Sequence, residues 1–229
     1  VKLIIFGPHG SGKGSYASRM VSILKITRIA PGDMFREQIE KRTELGKLAA
    51  AYLDKGEYVP DDVTIKMIKE RLSYPDTKNG FVLDGFPRTI KQAKELEKIA
   101  KIDALINIIV PKEILIEIIS SRRICSNPNC DGNYNIANIH KKIDGVEYIL
   151  PPLLPKKEGF CDKCGSSLYQ RKDSTTEATE SRMKEHEKKA NPVLDYYKGK
   201  ISFINIYMNR PPKEIVKRIL EEIKKLKIS

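Results

Sequence analysis

The stretch Leu3-Ile4-Ile5-Phe6-Gly7-Pro8-His9-Gly10-Ser11-Gly12-Lys13-Gly14-Ser15 decides how the chain folds. Four apolar residues run straight into glycine, which reads as a strand buried on both faces, the habit of a parallel sheet. Gly7-x4-Gly12-Lys13 has P-loop spacing, and a helical pattern follows it. Glycines let the backbone curl until successive N–H groups face a phosphate, and the start of the helix adds its positive dipole. Lys13 supplies a mobile full charge. The next residue is Gly14, followed by Ser15, so the hydroxyl that usually meets magnesium is missing after the lysine. The ion is therefore expected to be held mainly through water and phosphates. His9 offers its backbone to such a loop, and neither His140 nor His186 has a partner pattern, so both read as surface residues.

Working outward, three more apolar runs repeat the first: Phe81-Val82-Leu83, Ala104 to Val110 and Ile201 to Tyr207, with Thr27-Arg28-Ile29 as a shorter candidate. Helical stripes lie between them, such as Ile65, Ile68 and Leu72. Near the C-terminus Ile215, Ile219, Ile223 and Leu226 form another, with Glu214–Arg218 and Glu221–Lys225 at supporting spacing. Strands alternating with helices predict an α/β fold, a P-loop parallel sheet of about five strands with helices on both faces. Two segments break the rhythm and read as insertions: residues 30–59, helical throughout, and residues 121–171. The second holds all four cysteines and a hairpin signal at Asp144-Gly145, between Tyr134 to Ile139 and Val146 to Leu150.

The 229 residues carry 42 Lys+Arg against 30 Asp+Glu, a formal charge of +12, which favours polyanionic ligands. No apolar run approaches the length of a membrane span, and Val1 to Phe6 is too short for a secretory leader. A soluble cytoplasmic protein without membrane partners is expected. Candidate ligands for phosphate gather near the insertions. Asp84-Gly85-Phe86-Pro87-Arg88 follows the second long strand, where Asp84 suits magnesium-bound water and Arg88 the same cleft. Arg36 follows Gly32-Asp33, Arg122-Arg123 open the cysteine segment, and Arg171 and Arg182 close it. Together they suggest a clamp for several phosphates.

Gly7–Ser15, Gly32-Asp33-Met34-Phe35-Arg36, Asp84–Arg88 with Gln92, Arg122-Arg123 and Leu168-Tyr169-Gln170-Arg171 closely resemble the adenylate kinase family in its long-lid form, in one colinear order. The resemblance implies reversible phosphoryl transfer from Mg-ATP to AMP, giving two ADP. It also implies a core (1–29, 60–120 and 172–229), an AMP-binding insertion (30–59) and a mobile lid (121–171). On the same ground Gly10, Ser11, Gly12, Lys13, Gly14 and Ser15 would wrap the ATP phosphates, with Arg122, Tyr134 and Arg210 touching that nucleotide. Pro31, Arg36, Glu57, Val59, Gly85, Arg88 and Gln92 would surround AMP, and Arg171 and Arg182 would bridge the two. Lys13, Asp84, Arg88, Arg122, Arg171 and Arg182 would carry the chemistry. Three positions depart from the family pattern: Pro31 replaces a frequent Thr, Ile118 a frequent Arg, and Ser174 the second of two aspartates.

Cys125-x4-Cys130 and Cys161-x2-Cys164 offer four thiolates for one tetrahedral ion, against the competing reading of two disulfides. In a cytosolic nucleotide enzyme a structural Zn²⁺ is the expectation, making the second insertion a small zinc-ribbon-like β lid; iron or cobalt would fit the same ligands. Lids that carry zinc also occur in the family. Two other functions compete with the leading one. A kinase for another nucleoside monophosphate would keep the site, whereas a zinc-ribbon nucleic-acid-binding protein would use the charge. Dispersed basic residues without interleaved aromatics disfavour the latter, so no nucleic-acid partner is expected, and a monomer is.

Overall fold

The computed structural model describes residues 1–53, 57–130, 132–170 and 176–226, with the side chains of residues 176–178, 181, 182, 185 and 187 outside the description. Five parallel strands form the central sheet: β1 (Lys2–Phe6), β2 (Thr27–Ile29), β3 (Phe81–Asp84), β4 (Ala104–Ile109) and, last in the chain, β10 (Ser202–Tyr207). Their spatial order is β10-β4-β1-β3-β2. β1 is thus central, with β3 on one side in register Ile4↔Leu83 and β4 on the other in register Ile4↔Leu105. The strand order reverses at β1, so a crevice opens beyond its carboxyl end, the position where open parallel sheets bind ligands.

Alternation along β1 shows how both faces are covered. Leu3 and Ile5 join one cluster with Tyr16, Ala17 and Met20 of α1 (Lys13–Leu24) and with Ile215, Ile219 and Ile223 of α8 (Pro212–Lys225). Ile4 and Phe6 join the opposite cluster. It contains Ile68 of α4 (Asp61–Leu72), Ala93 and Leu96 of α5 (Ile90–Ile99), and Val193 of α7 (Thr176–Tyr197). All five expected strands and both apolar stripes are present. The two supporting ion pairs expected on α8 are not. Arg218 bonds Asn209 and Lys225 pairs with Glu222, because exposed helical pairs are weak enough for any nearer partner to take the charge.

Residues 30–59 hold α2 (Pro31–Glu40) and α3 (Glu44–Leu53). Phe35, Ala49, Val59 and Met67 form a small core of their own between these helices and α4. A Cβ on Gly46 would lie 2.1 Å from the Gln38 carbonyl oxygen, so only glycine lets α3 approach the α2 backbone this closely.

Beyond α6 (Lys112–Ser120) come five short antiparallel strands. β5 (Arg122–Cys125) pairs with β6 (Asn133–Asn135) and β9 (Leu168–Tyr169) in one small sheet. β7 (Ile139–Ile143) and β8 (Val146–Leu150) form a separate hairpin through Asp144-Gly145, both at positive φ. The stretch Tyr134 to Ile139, which reads as a single strand in the sequence, is therefore divided between two sheets. The hairpin and the cysteine strands form separate sheets. Ile139 and Tyr148, 1% exposed, enter the core cluster beside Ile206 and Met208. Ile149 N–H donates to Asn209 O (2.9 Å), and Arg210 holds Glu147 by its carboxylate (2.9 Å) and its carbonyl (2.7 Å).

Candidate active site

The loop after β1 turns through Gly7, Gly10 and Gly12, all at positive φ, which delivers Lys13 to the first position of α1. A Cβ at Gly10 would meet the Ile119 side chain at 2.6 Å, so the loop is seated directly on α6. No acidic residue occupies the first turn of α1, leaving its dipole to an anion. Lys13 Nζ donates to Pro8 O (2.5 Å) inside the loop. Burial pushes its pKa from 10.5 down to about 8, with Asp84 raising it and Arg88 lowering it further. Ser11 Oγ is buried and has no hydrogen-bond partner among the described residues, an open valence of the kind a bound phosphate or its water can fill. Gly14 is half-buried and Ser15 is exposed.

Asp84 ends β3 beside this loop, its side chain only 10% exposed. Gly85, at φ 77, turns the chain so that Arg88 folds back and its Nε donates to Gly85 O (2.8 Å). The Arg88 guanidinium also lies 4.8 Å over the Tyr58 ring, which takes Lys189 at 4.2 Å, so Tyr58 supports two cations in the cleft. Gln92 is 3% exposed and engaged at both ends: its Oε1 accepts from Arg88 N (2.7 Å), and its Nε2 donates to Asp61 Oδ1 (2.7 Å). Thr89 completes this knot by donating to Asp61 Oδ2 (2.7 Å) and capping α5. Arg88 is thereby held at its backbone by a buried amide.

Pro31 begins α2 and is buried, while Arg36 is exposed and paired with Asp33. Val59 is buried, and the exposed Glu57 bonds back to Tyr52 O through its N–H (3.0 Å). Two residues were missed in the sequence. Arg28 of β2 reaches both Asp84 and Asp33 (2.6 Å each), which no spacing rule reveals, because Asp84 lies 56 positions away. His186, read as a surface residue, is instead half-buried in the cleft with its ring 5.6 Å from Phe6. Burial, then the charges of Lys13 and Arg88, push its pKa down to about 4, so it stands neutral at pH 7. His140 is exposed, facing Glu147 at 3.3 Å.

Toward the second insertion, Arg122 Nε donates to Asn133 Oδ1 (3.0 Å). Arg210 is committed to the hairpin through Glu147. The Tyr134 hydroxyl is turned away into the cysteine cluster, accepting from Asp162 N–H (2.7 Å) and donating to Cys161 Sγ (3.7 Å). Arg171 and Ser174 lie outside the described residues, and Arg182 falls on α7 with its side chain outside the description.

The four Cys Sγ atoms lie within 4.8 Å of one another, with Cys125–Cys164 at 3.3 Å and Cys130–Cys161 at 3.7 Å. Tetrahedral ligands about 2.3 Å from a zinc ion would stand just under 4 Å apart, whereas a disulfide needs about 2.05 Å. All four cysteines are free thiols, so the geometry suits one ion and not two disulfides. Gly132 makes room for it: a Cβ there would lie 2.4 Å from Cys161 Sγ. Hydrogen bonds from Ser166 hold the Cys164 thiol down to about 6, whereas burial pushes Cys125 up to about 12.

No helix among the described residues is long and apolar enough to cross a membrane. A family model described as adenylate kinase matches residues 5–202. An adenylate kinase of Desulforamulus reducens is 42% identical over 229 residues, covering 98% of this chain and 100% of that protein. One from Archaeoglobus fulgidus is 43% identical over 205 residues, 87% of each chain. One from Streptomyces coelicolor is 38% identical over 230 residues, covering 98% and 99% respectively.

Proposed function

The chain belongs to the adenylate kinase family, and from that premise we propose how its own residues carry out the family's reaction. That reaction is reversible transfer of the γ-phosphoryl of Mg-ATP to AMP, giving two ADP. The observation that carries the assignment of roles is the meeting of Lys13, Asp84 and Arg88 at one crevice beyond β1, close enough for the two partners to shift the lysine's pKa.

The backbone of Gly10 to Ser15 wraps the ATP phosphates at the start of α1, and Lys13 leaves Pro8 O to bridge the β and γ groups. A magnesium ion bound with ATP would supply charge neutralisation at those oxygens. Asp84 accepts from its water shell, since Gly14 brings no hydroxyl. Arg88 and Arg36 hold the AMP phosphate, with Arg88 aimed by Gln92 and Tyr58. Pro31, Glu57, Val59, Gly85 and Gln92 line the acceptor site. Arg122, Arg171 and Arg182 add charge between the nucleotides, and Arg210 would border ATP only after leaving Glu147, whereas the Tyr134 hydroxyl is spent on the cysteine cluster. The acceptor is a phosphate oxygen already ionised at pH 7, so no general base is needed, and positioning with positive charge does the work. His186, neutral and beside Lys13, takes no proton.

We take the small sheet of β5, β6 and β9 as the lid, whose closure excludes the water that would otherwise accept the phosphoryl group. Cys125, Cys130, Cys161 and Cys164 would hold a structural zinc ion, which would tie the lid strands together. Thiols arranged for one ion suit a reducing compartment, in keeping with a cytoplasmic enzyme, which we take to act as a monomer.

Chromatography of nucleotides after mixing the protein and Mg-ATP with AMP, UMP, CMP or GMP tests the reading. ADP should rise at the joint expense of ATP and AMP, with the other acceptors inert; another preferred acceptor would overturn the AMP assignment. Arg88→Ala should lower turnover by roughly two to three orders of magnitude while the protein stays folded. Near-normal turnover in that variant would contradict its role.

A further inference from the structure

Arg28 lies in the same crevice without a part in those roles. Its guanidinium is engaged at both ends: Nε and Nη2 donate to Asp84 Oδ2 at 3.2 and 2.6 Å, and Nη1 donates to Asp33 Oδ2 at 2.6 Å. Asp33 in turn pairs through Oδ1 with Arg36. The Arg28 and Asp84 side chains are only 26% and 10% exposed, so water screens the pair weakly. Its place in the site matters most. A Cβ on Gly14 would stand 3.2 Å from Arg28 Nη2 and 3.3 Å from Asp84 Oδ2. The ion pair therefore rests directly against the residue that follows Lys13, where P-loop proteins commonly present a hydroxyl to the nucleotide's metal.

We propose that Arg28 is a resident counter-ion that competes with the magnesium of the donor nucleotide for Asp84, raising the magnesium concentration the chain needs. The inference rests on the reading that Mg-ATP occupies the P-loop. Asp84 Oδ2 accepts two N–H bonds from Arg28, and a full positive charge lies beside the loop. Water around a magnesium ion needs that acceptor, and the ion and the guanidinium repel each other. Arg28 must release Asp84, keeping Asp33, before the carboxylate can serve the metal. A Cβ at position 14 would press on the guanidinium and move it by a few tenths of an ångström.

Calorimetric titration of ATP into the full-length, metal-loaded protein, without AMP and at increasing Mg²⁺, reads this without any turnover. Wild-type affinity should rise with Mg²⁺, and Arg28→Gln should show the same rise at roughly tenfold lower Mg²⁺. Arg28→Lys, which keeps the charge, should stay near wild type. Arg28→Met retains the apolar stem and serves the same purpose should Arg28→Gln fail to fold. A midpoint unchanged or raised in the neutral variants would overturn the proposal, since Arg28 would then be holding Asp84 in place for the metal. A wild-type protein that binds ATP with no dependence on Mg²⁺, or does not bind it, would instead defeat the P-loop reading beneath it.

Discussion

With its ammonium buried at the start of α1, Lys13 is destabilising until a phosphate arrives. Its pKa is about 8 in the folded chain against 10.5 for the free side chain. Below about pH 8 it is charged in both states, and the folded state bears the full penalty, roughly 1–3 kcal/mol. As pH rises from 8 toward 10.5 the folded lysine is neutral while the unfolded one still binds its proton, so the penalty shrinks. Lys13→Met should therefore melt higher than the wild type at pH 7 in the absence of nucleotide. The advantage should fade toward pH 10.5, and turnover should fall by roughly two to three orders of magnitude. Thermal melts at several pH values check the sign; a variant less stable at pH 7 would show that the Pro8 contact outweighs desolvation. The presence of Lys13 in the site was legible from spacing, whereas the support of Arg88 by Tyr58 was not, because their contact is made across the cleft.

At the scale of elements, two close approaches depend on glycine. Gly46 seats α3 on α2, and a methyl group there, 2.1 Å from the Gln38 oxygen, should force the helices apart at about 1–3 kcal/mol or more. Denaturant melts of Gly46→Ala read that loss, and an unchanged midpoint would contradict such tight packing. Gly132 plays the matching part in the cysteine cluster. Gly132→Ala should displace Cys161 and reduce bound metal to well under one ion per chain, measurable by native mass spectrometry. A chelator should act in the same place on the wild type. Hydrogen exchange should accelerate in β5, β6 and β9 while β1, β3 and β4 keep their protection, because metal binding to such a knuckle is folding free energy for that element. Metal at full occupancy in Gly132→Ala would sink the assignment. Cysteine spacing alone left disulfides open, and the sulfur positions decide between the two readings because bonded and coordinated sulfurs differ by well over 1 Å.

Over the whole molecule, the hairpin β7–β8 links the segment carrying the cysteines to the core. Tyr148 is 1% exposed among residues of β10 and α8, and Arg210 fastens the neighbouring Glu147. Tyr148→Ala should lower global stability by about 3–5 kcal/mol, as for other large buried rings. Loosening the cysteine sheet alone should leave the core standing. Protection lost only within residues 139–150 would show that the hairpin is an appendage. Such an anchor would confine lid motion to the strands around the cysteines, with the hairpin staying on the core.

The five parallel strands, the P-loop and the two close cysteine pairs follow from the sequence itself, since they rest on local periodicity and short spacing: an apolar run entering glycine, four residues to the next Gly-Lys, cysteines with two and four residues between them. These signals act over a few residues, where backbone sterics and hydrophobic alternation leave little choice. What the tertiary structure decided lies at long separation. It brought Arg28 to Asp84 across 56 positions, set Gln92 and Asp61 to aim Arg88, drew His186 into the cleft and moved half of an apparent lid strand onto the core. In each case a polar group or an apolar face could be satisfied by several partners, and only the packing of the complete sheet and its helices selected one.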